Sequence, residues 1–154
     1  MARRTTSRRP SLLSPKVRAI DAVAPLIKIC GVTTPDDARM VATSGADWVG
    51  LNFHPGSKRY VLPDFAPGIV AVMAGLAEPV GLFVDRFPAE IIRESQRAGV
   101  QIVQLHGEEP PETVRALKSE GYQVIRAFRL GDRAAVDRLE AWLLQALNLK
   151  GTPE

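Results

Sequence analysis

Five short apolar runs recur along the chain, each followed by a segment with helix signals, and this alternation limits the fold more than any other feature. The runs are Leu26–Val32, Trp48–Phe53, Val80–Asp85, Ile102–His106 and Gln123–Phe128. Each is too short for a helix and rich in Val, Ile and Phe, as buried strands are. The clearest helix start is Thr34 as N-cap, with Pro35 at the first helical position, Asp37 at the third, and Gly45 as the stop. Further helices are expected near Pro63-Asp64, after Pro88, after Glu108-Glu109-Pro110-Pro111, and from Arg133 to Leu147, with Gly99 and Gly121 closing the third and fourth. Glu108 and Glu109 are expected at the positive end of the fourth helix dipole.

The order βαβαβαβαβα implies a parallel α/β sheet with right-handed crossovers, either an open doubly wound sheet or part of a (β/α)8 TIM barrel. No glycine-rich dinucleotide fingerprint and no P-loop lysine follows any strand, which weakens the nucleotide-binding form. With 154 residues there is room for one ordinary domain, and 45% apolar with 24% charged residues is a globular balance. The longest uncharged apolar stretch, Gly68 to Ala77, falls well short of the roughly 18–20 residues that span a bilayer.

Charge separates the chain into two parts. The net charge is +3, yet Arg3, Arg4, Arg8, Arg9, Lys16 and Arg18 all precede the first acid, Asp21, and residues 21–154 sum to −3. Residues 1–24 are rich in Ser, Thr, Pro and Arg without any structural period, so a disordered basic tail is expected there, with the folded domain over 25–154. A mildly acidic body argues against a nucleic-acid-binding fold. Cys30, the single cysteine, excludes an internal disulfide framework and suits a reducing, cytoplasmic compartment.

Alternation within the strands gathers polar residues on one face. Lys28 and Cys30 oppose Ile27 and Ile29; Gly50 and Asn52 oppose Val49, Leu51 and Phe53; Gln104 and His106 oppose Val103 and Leu105. By the same reading Arg126 opposes Ile125 and joins the polar face, while Asp85 ends the third strand opposite Leu82 and Val84. These polar residues sit late in their strands, where parallel α/β folds build their sites. Leaving them buried without partners would cost roughly 1–3 kcal/mol each, so they are expected to line a wet mouth or meet a ligand. The loop His54-Pro55-Gly56-Ser57-Lys58-Arg59-Tyr60 adds positive charge at the same end, and an arginine there suits a bidentate grip on a carboxylate. No paired His or Cys spacing supports a metal, no nucleophile elbow supports a serine triad, and nothing calls for a cofactor.

Lys28-Ile29-Cys30-Gly31, Ser44-Gly45-Ala46-Asp47 leading to Gly50 and Phe53, Pro55 with Ser57-Lys58-Arg59-Tyr60, Val80-Gly81-Leu82-Phe83-Val84, and Gln104-Leu105-His106-Gly107 together resemble the phosphoribosylanthranilate isomerase family of tryptophan biosynthesis. The resemblance runs from about Leu26 to about Leu130, in the family's order and spacing. It implies a (β/α)8 barrel and an Amadori rearrangement of N-(5′-phosphoribosyl)anthranilate to 1-(o-carboxyphenylamino)-1-deoxyribulose 5-phosphate, a small-molecule substrate handled without a cofactor. In the family a general acid opens the sugar ring to a Schiff base and a general base removes the C2′ proton. The resemblance puts the base at Cys30 and the grip on the anthranilate carboxylate at Arg59, with His106 and Gln104 in supporting positions at the mouth. A thiol is a useful base as the thiolate, a form that a cation such as Lys28 on the same face favours, joined by Arg126 if it points there too.

The family's general acid is an aspartate at the end of strand six, and no matching segment occurs here; nor do the later loops that hold the phosphate. The expectation is therefore an N-terminal five-eighths of a barrel, unstable and inactive by itself. Two alternatives stay open: another phosphate-binding barrel enzyme acting on a sugar phosphate, or a non-catalytic fragment whose basic tail binds nucleic acid or an anionic membrane.

Overall fold

The computed structural model describes residues 25–148, and its elements follow the expected alternation. In order they are β1 (Lys28–Cys30), α1 (Pro35–Thr43), β2 (Trp48–Asn52), α2 (Ala66–Ala71), β3 (Glu78–Phe83), α3 (Pro88–Ala98), β4 (Ile102–Leu105), α4 (Pro111–Ser119), β5 (Gln123–Arg126) and α5 (Arg133–Asn148). The basic tail expected over residues 1–24 lies outside the described residues.

Local chemistry accounts for several boundaries. Thr34 caps α1 as its sequence suggests: its hydroxyl accepts from the Asp37 N–H at 3.1 Å and donates to the Asp37 carboxylate at 2.7 Å. Pro88 opens α3 at a position whose N–H would have no helical partner, the Phe87 N–H donates to Glu90 Oε2 at 3.2 Å, and Gly99 ends the helix at φ 74. The second helix is shorter and later than expected. Pro63 and Asp64 form a turn ahead of it, with the Pro63 carbonyl accepting from the Ala66 N–H.

All neighbouring strands pair in parallel, in the order β1-β2-β3-β4-β5. A doubly wound sheet would reverse its strand order partway; here each strand adds beside the last, and each helix packs against the next. That is the winding of a (β/α) barrel, of which these strands form an arc. The core lies between sheet and helices. Val49, Leu51, Phe53, Phe83, Val103 and Leu105 face Ala38, Ile69, Met73, Ile91, Ala98 and Leu117, all buried, and the Phe53 and Phe83 rings meet at 5.2 Å.

The strand register corrects two assignments. Parallel partners share a face, and Asn52 pairs with Leu82, Leu82 with Gln104, and Gln104 with Ile125. Leu82 therefore belongs with the polar residues on the inner face, while Phe83 packs outward into the core. Arg126 pairs with Leu105 and lies on the helix side, the reverse of the expectation, with Ile125 facing inward. Alternation divides a strand into two faces; only register with its neighbours says which face is which.

Candidate active site

At the carboxyl ends of the strands the inner face opens into a cleft of about 510 Å³. Its floor starts at β1. Lys28 and Cys30 both point inward, and Gly50 beside them on β2 has no side chain to obstruct them. A Cβ at Gly50 would stand 2.7 Å from Cys30 Sγ and 3.0 Å from Lys28 Nζ, so the thiol and the ammonium share the space above that glycine. The Cys30 residue is exposed, open to a ligand from the cleft.

Arg59 reaches the same place from the loop after β2. That loop folds back on the strand it left: the Val61 N–H donates to the Asn52 carbonyl at 2.8 Å, and Asn52 and Tyr60 form a parallel bridge. Asn52 organises the turn with both ends of its amide, donating to Ser57 Oγ at 3.0 Å and accepting from the His54 N–H at 2.9 Å. Ser57 Oγ in turn accepts from the Arg59 N–H at 3.1 Å. The Arg59 side chain then lies across Gly31, whose φ of 85 and lack of Cβ permit the contact, and donates to the Cys30 carbonyl at 3.4 Å. The guanidinium is thus held over the strand end that carries the thiol.

Gln104 and His106 complete the far wall, as expected, with Leu82 and Val84 supplying an apolar strip between them and β2. Arg129 also lines the cleft, a residue that strand alternation had no means of finding because it stands beyond β5 in the following loop. The arrangement offers Lys28, Arg59 and Arg129 to an anionic ligand, with an accessible thiol beside them. Among the described residues no group of three or more His, Cys, Asp or Glu side chains converges as metal ligands would.

Arg126 does not join this group. Its guanidinium lies 4.4 Å from the Phe128 ring centre and 5.9 Å from that of Trp142, and its Nη1 is 3.5 Å from Glu109 Oε2. Glu109 likewise departs from expectation. Helix α4 starts two residues later at Pro111, and the Glu109 carboxylate accepts from the backbone N–H groups of Asp85 and Gly107 instead of the helix end. Asp85, expected to end the third strand, stands beyond β3, which stops at Phe83; it takes φ 50, and its carboxylate accepts from the Glu108 N–H at 2.6 Å.

Comparisons with known proteins point one way. A sequence model described as N-(5'phosphoribosyl)anthranilate (PRA) isomerase matches residues 27–144. An N-(5'-phosphoribosyl)anthranilate isomerase of Geobacter sulfurreducens is 41% identical over 129 residues, covering 80% of this chain and 62% of that protein. The phosphoribosyl anthranilate isomerase structure from Thermotoga maritima superposes with a TM-score of 0.68 at 37% identity, covering 82% of this chain and 58% of that one. A phosphoribosyl anthranilate isomerase structure in complex with reduced 1-(o-carboxyphenylamino)-1-deoxyribulose 5-phosphate gives a TM-score of 0.70 at 37% identity, covering 75% of this chain and 59% of that one. The chain therefore spans less than two thirds of the length of each.

Proposed function

The chain belongs to the phosphoribosylanthranilate isomerase family, and from that premise we propose that its cleft is part of an active site that converts N-(5′-phosphoribosyl)anthranilate to 1-(o-carboxyphenylamino)-1-deoxyribulose 5-phosphate in tryptophan biosynthesis. The observation that carries this reading is the meeting of Cys30 Sγ and Lys28 Nζ over Gly50, directly beside the Arg59 guanidinium. The family match over residues 27–144 supports placing the isomerase domain within 25–154, and the lone free thiol suits cytoplasmic work.

Each residue then has a chemical task. Arg59 takes the anthranilate carboxylate, its planar fork matching the two oxygens. That contact fixes the aryl amine end of the substrate and so places the sugar along the strand ends. Once the ring has opened to the protonated Schiff base, Cys30 Sγ accepts the proton from C2′, the C–H electrons form the C1′–C2′ double bond of an enolamine, and the C1′=N pair moves onto the nitrogen. Transfer of the enol proton to carbon gives the ketose. Gln104 and His106 are polar wall groups placed to bond the sugar hydroxyls. No described residue is assigned the acid that opens the ring.

Because the chain spans about 62% of the Geobacter sulfurreducens relative, the reaction is best tested by complementation. The 154-residue polypeptide alone is expected to give no turnover, read as loss of substrate fluorescence. Co-expressed with the portion of that relative which it does not cover, it should recover isomerase activity. Cys30→Ala should then abolish that activity, while Arg59→Ala should raise KM by about tenfold or more, as loss of a charge-assisted bidentate contact does. Turnover in the Cys30→Ala complex equal to the parent would remove the thiol from the role of base.

A further inference from the structure

His106 stands on the cleft wall, and its backbone N–H is already committed to the Phe83 carbonyl at 3.0 Å. The peptide groups on either side of it are held from behind by one ion pair. Arg126 Nη1 donates to the Leu105 carbonyl at 3.3 Å and Nη2 to the Gly107 carbonyl at 2.8 Å. The Gly107 N–H donates to Glu109 Oε2 at 3.0 Å. The two side chains are almost closed to solvent, 9% exposed for Arg126 and 2% for Glu109.

The same carboxylate reaches a second turn. Glu109 Oε1 accepts from the Asp85 N–H at 2.9 Å, and the Asp85 carboxylate answers by accepting from the Glu108 N–H. Gly107 is the close point between these turns: a Cβ there would fall against the Asp85 carboxylate and 2.7 Å from the Asp85 nitrogen. Behind the pair, Trp142 of α5 donates its indole N–H to the Glu109 carbonyl at 2.9 Å. A buried ion pair is a costly way to gain stability alone, since desolvating both charges offsets most of their attraction. Here both partners spend hydrogen bonds on backbone, and among them are those to Leu105 and Gly107 on either side of His106.

We propose that Glu109 is a positioning residue: with Arg126 behind it, its carboxylate pins the turns after β3 and β4 to each other and thereby sets His106 against the ligand in the cleft. The proposal rests on reading the cleft as the isomerase site, and it extends that reading to a residue that touches no substrate. Glu109 acts through His106, and Arg126 acts with it.

The test is a double-mutant cycle on the complemented enzyme, with reduced 1-(o-carboxyphenylamino)-1-deoxyribulose 5-phosphate as the probe and calorimetric affinity as the readout. Glu109→Gln and His106→Ala should each weaken binding by about tenfold, and the double variant should be no weaker than either, because one acts through the other. Fully additive losses, or undiminished affinity in Glu109→Gln beside a weakened His106→Ala, would overturn the proposal. Amide hydrogen exchange supplies an arm independent of ligand. In Glu109→Gln the Gly107 amide should lose its protection and the His106 imidazole resonances should shift or split, while β1 and β2 amides keep their protection. Uniform loss of protection across the sheet would make the role merely structural and overturn the proposal. Should Glu109→Gln not fold, Arg126→Lys keeps the charge but not the two-carbonyl fork, and it should show the same Gly107 effect in milder form; an unaltered Gly107 would count against the proposal. If the complemented wild-type enzyme fails to bind the probe while the exchange arm behaves as expected, the functional reading fails and the positioning of His106 stands.

Discussion

Position 50 decides how close a thiol and an ammonium can stand at the mouth of this cleft. Any side chain there meets Cys30 Sγ at 2.7 Å, Lys28 Nζ at 3.0 Å and the Cys30 Cα at 3.2 Å. The lysine end can swing aside at little cost, whereas the thiol sits on a short side chain and must rotate away from its place. Gly50→Ala should therefore fold, bind the reduced product analogue nearly as well as the parent, and lose kcat in the complemented enzyme by about 100-fold, the scale of an ångström's misplacement of a reacting group. Parallel losses in affinity and kcat would mean that the space above Gly50 serves ligand binding rather than the base. That Cys30, Lys28 and Gln104 lie opposite the aliphatic residues of their strands was legible from alternation, and register then set that polar face inward. Arg59 and Glu109 were not legible in that way. Both stand outside strands, and what each side chain meets depends on where a turn delivers it: Arg59 on Asn52 and Ser57, Glu109 on the approach of the Asp85 and Gly107 backbones. For Arg59 a motif resemblance supplied what periodicity lacked. For Glu109 the adjacent prolines suggested a helix start and concealed its true partners.

At the scale of elements, the succession of strands and helices was readable because capping chemistry marks most of the boundaries, as at Thr34, Pro88 and Gly99. Which way β3 and β5 face was not. β3 carries apolar residues on both faces, with Leu82 inward and Phe83 outward, so its composition holds no sign of orientation. In β5 the charge on Arg126 suggests a wet face, but the residue is accommodated on the helix side by Glu109, Phe128 and Trp142. The turn into β5 also contains a titrating link. Tyr122 is buried, its hydroxyl donates to the Ile92 carbonyl of α3 at 3.4 Å, and burial, aided by the nearby Glu120 charge, raises its pKa above the usual tyrosine value. A phenol held protonated by the fold contributes stability that is fully present below the unfolded value of ~10 and is lost as pH rises through the higher folded value. Denaturant midpoints should therefore fall in that alkaline window, and Tyr122→Phe should flatten the fall. A fall of equal steepness in Tyr122→Phe would assign the alkaline loss to other groups.

At the largest scale, the sheet formed by the described residues ends in two edges with apolar ground beside each. Among the described residues β1 pairs only with β2 and β5 only with β4. Beside β1, Ile27, Ile29 and Met40 border a groove on the helix side and are 50%, 43% and 61% exposed; at the opposite end Leu143, Leu144 and Leu147 of α5 are 46%, 63% and 58% exposed. Unpaired backbone flanked by such side chains is a template for further strands, and a chain that covers it gains stability while a chain left open associates with itself. Among the described residues no helix is long and apolar enough to cross a membrane, so these leucines do not mark a helical span. The 154-residue polypeptide alone should therefore sediment as concentration-dependent oligomers at micromolar levels. Ile29→Lys combined with Leu144→Lys should return it to monomer, because a charge at an edge strand or on an apolar helix face makes association costly while leaving the inward side chains of β1 untouched. Complementation by the uncovered portion of the Geobacter sulfurreducens relative should have the same effect on the parent chain, and it should also raise the denaturant midpoint, which the two lysines cannot do. A parent chain that stays monomeric without that portion would show that the open edges are tolerated as they stand, and the restored activity expected on complementation would then have to come from added catalytic groups alone.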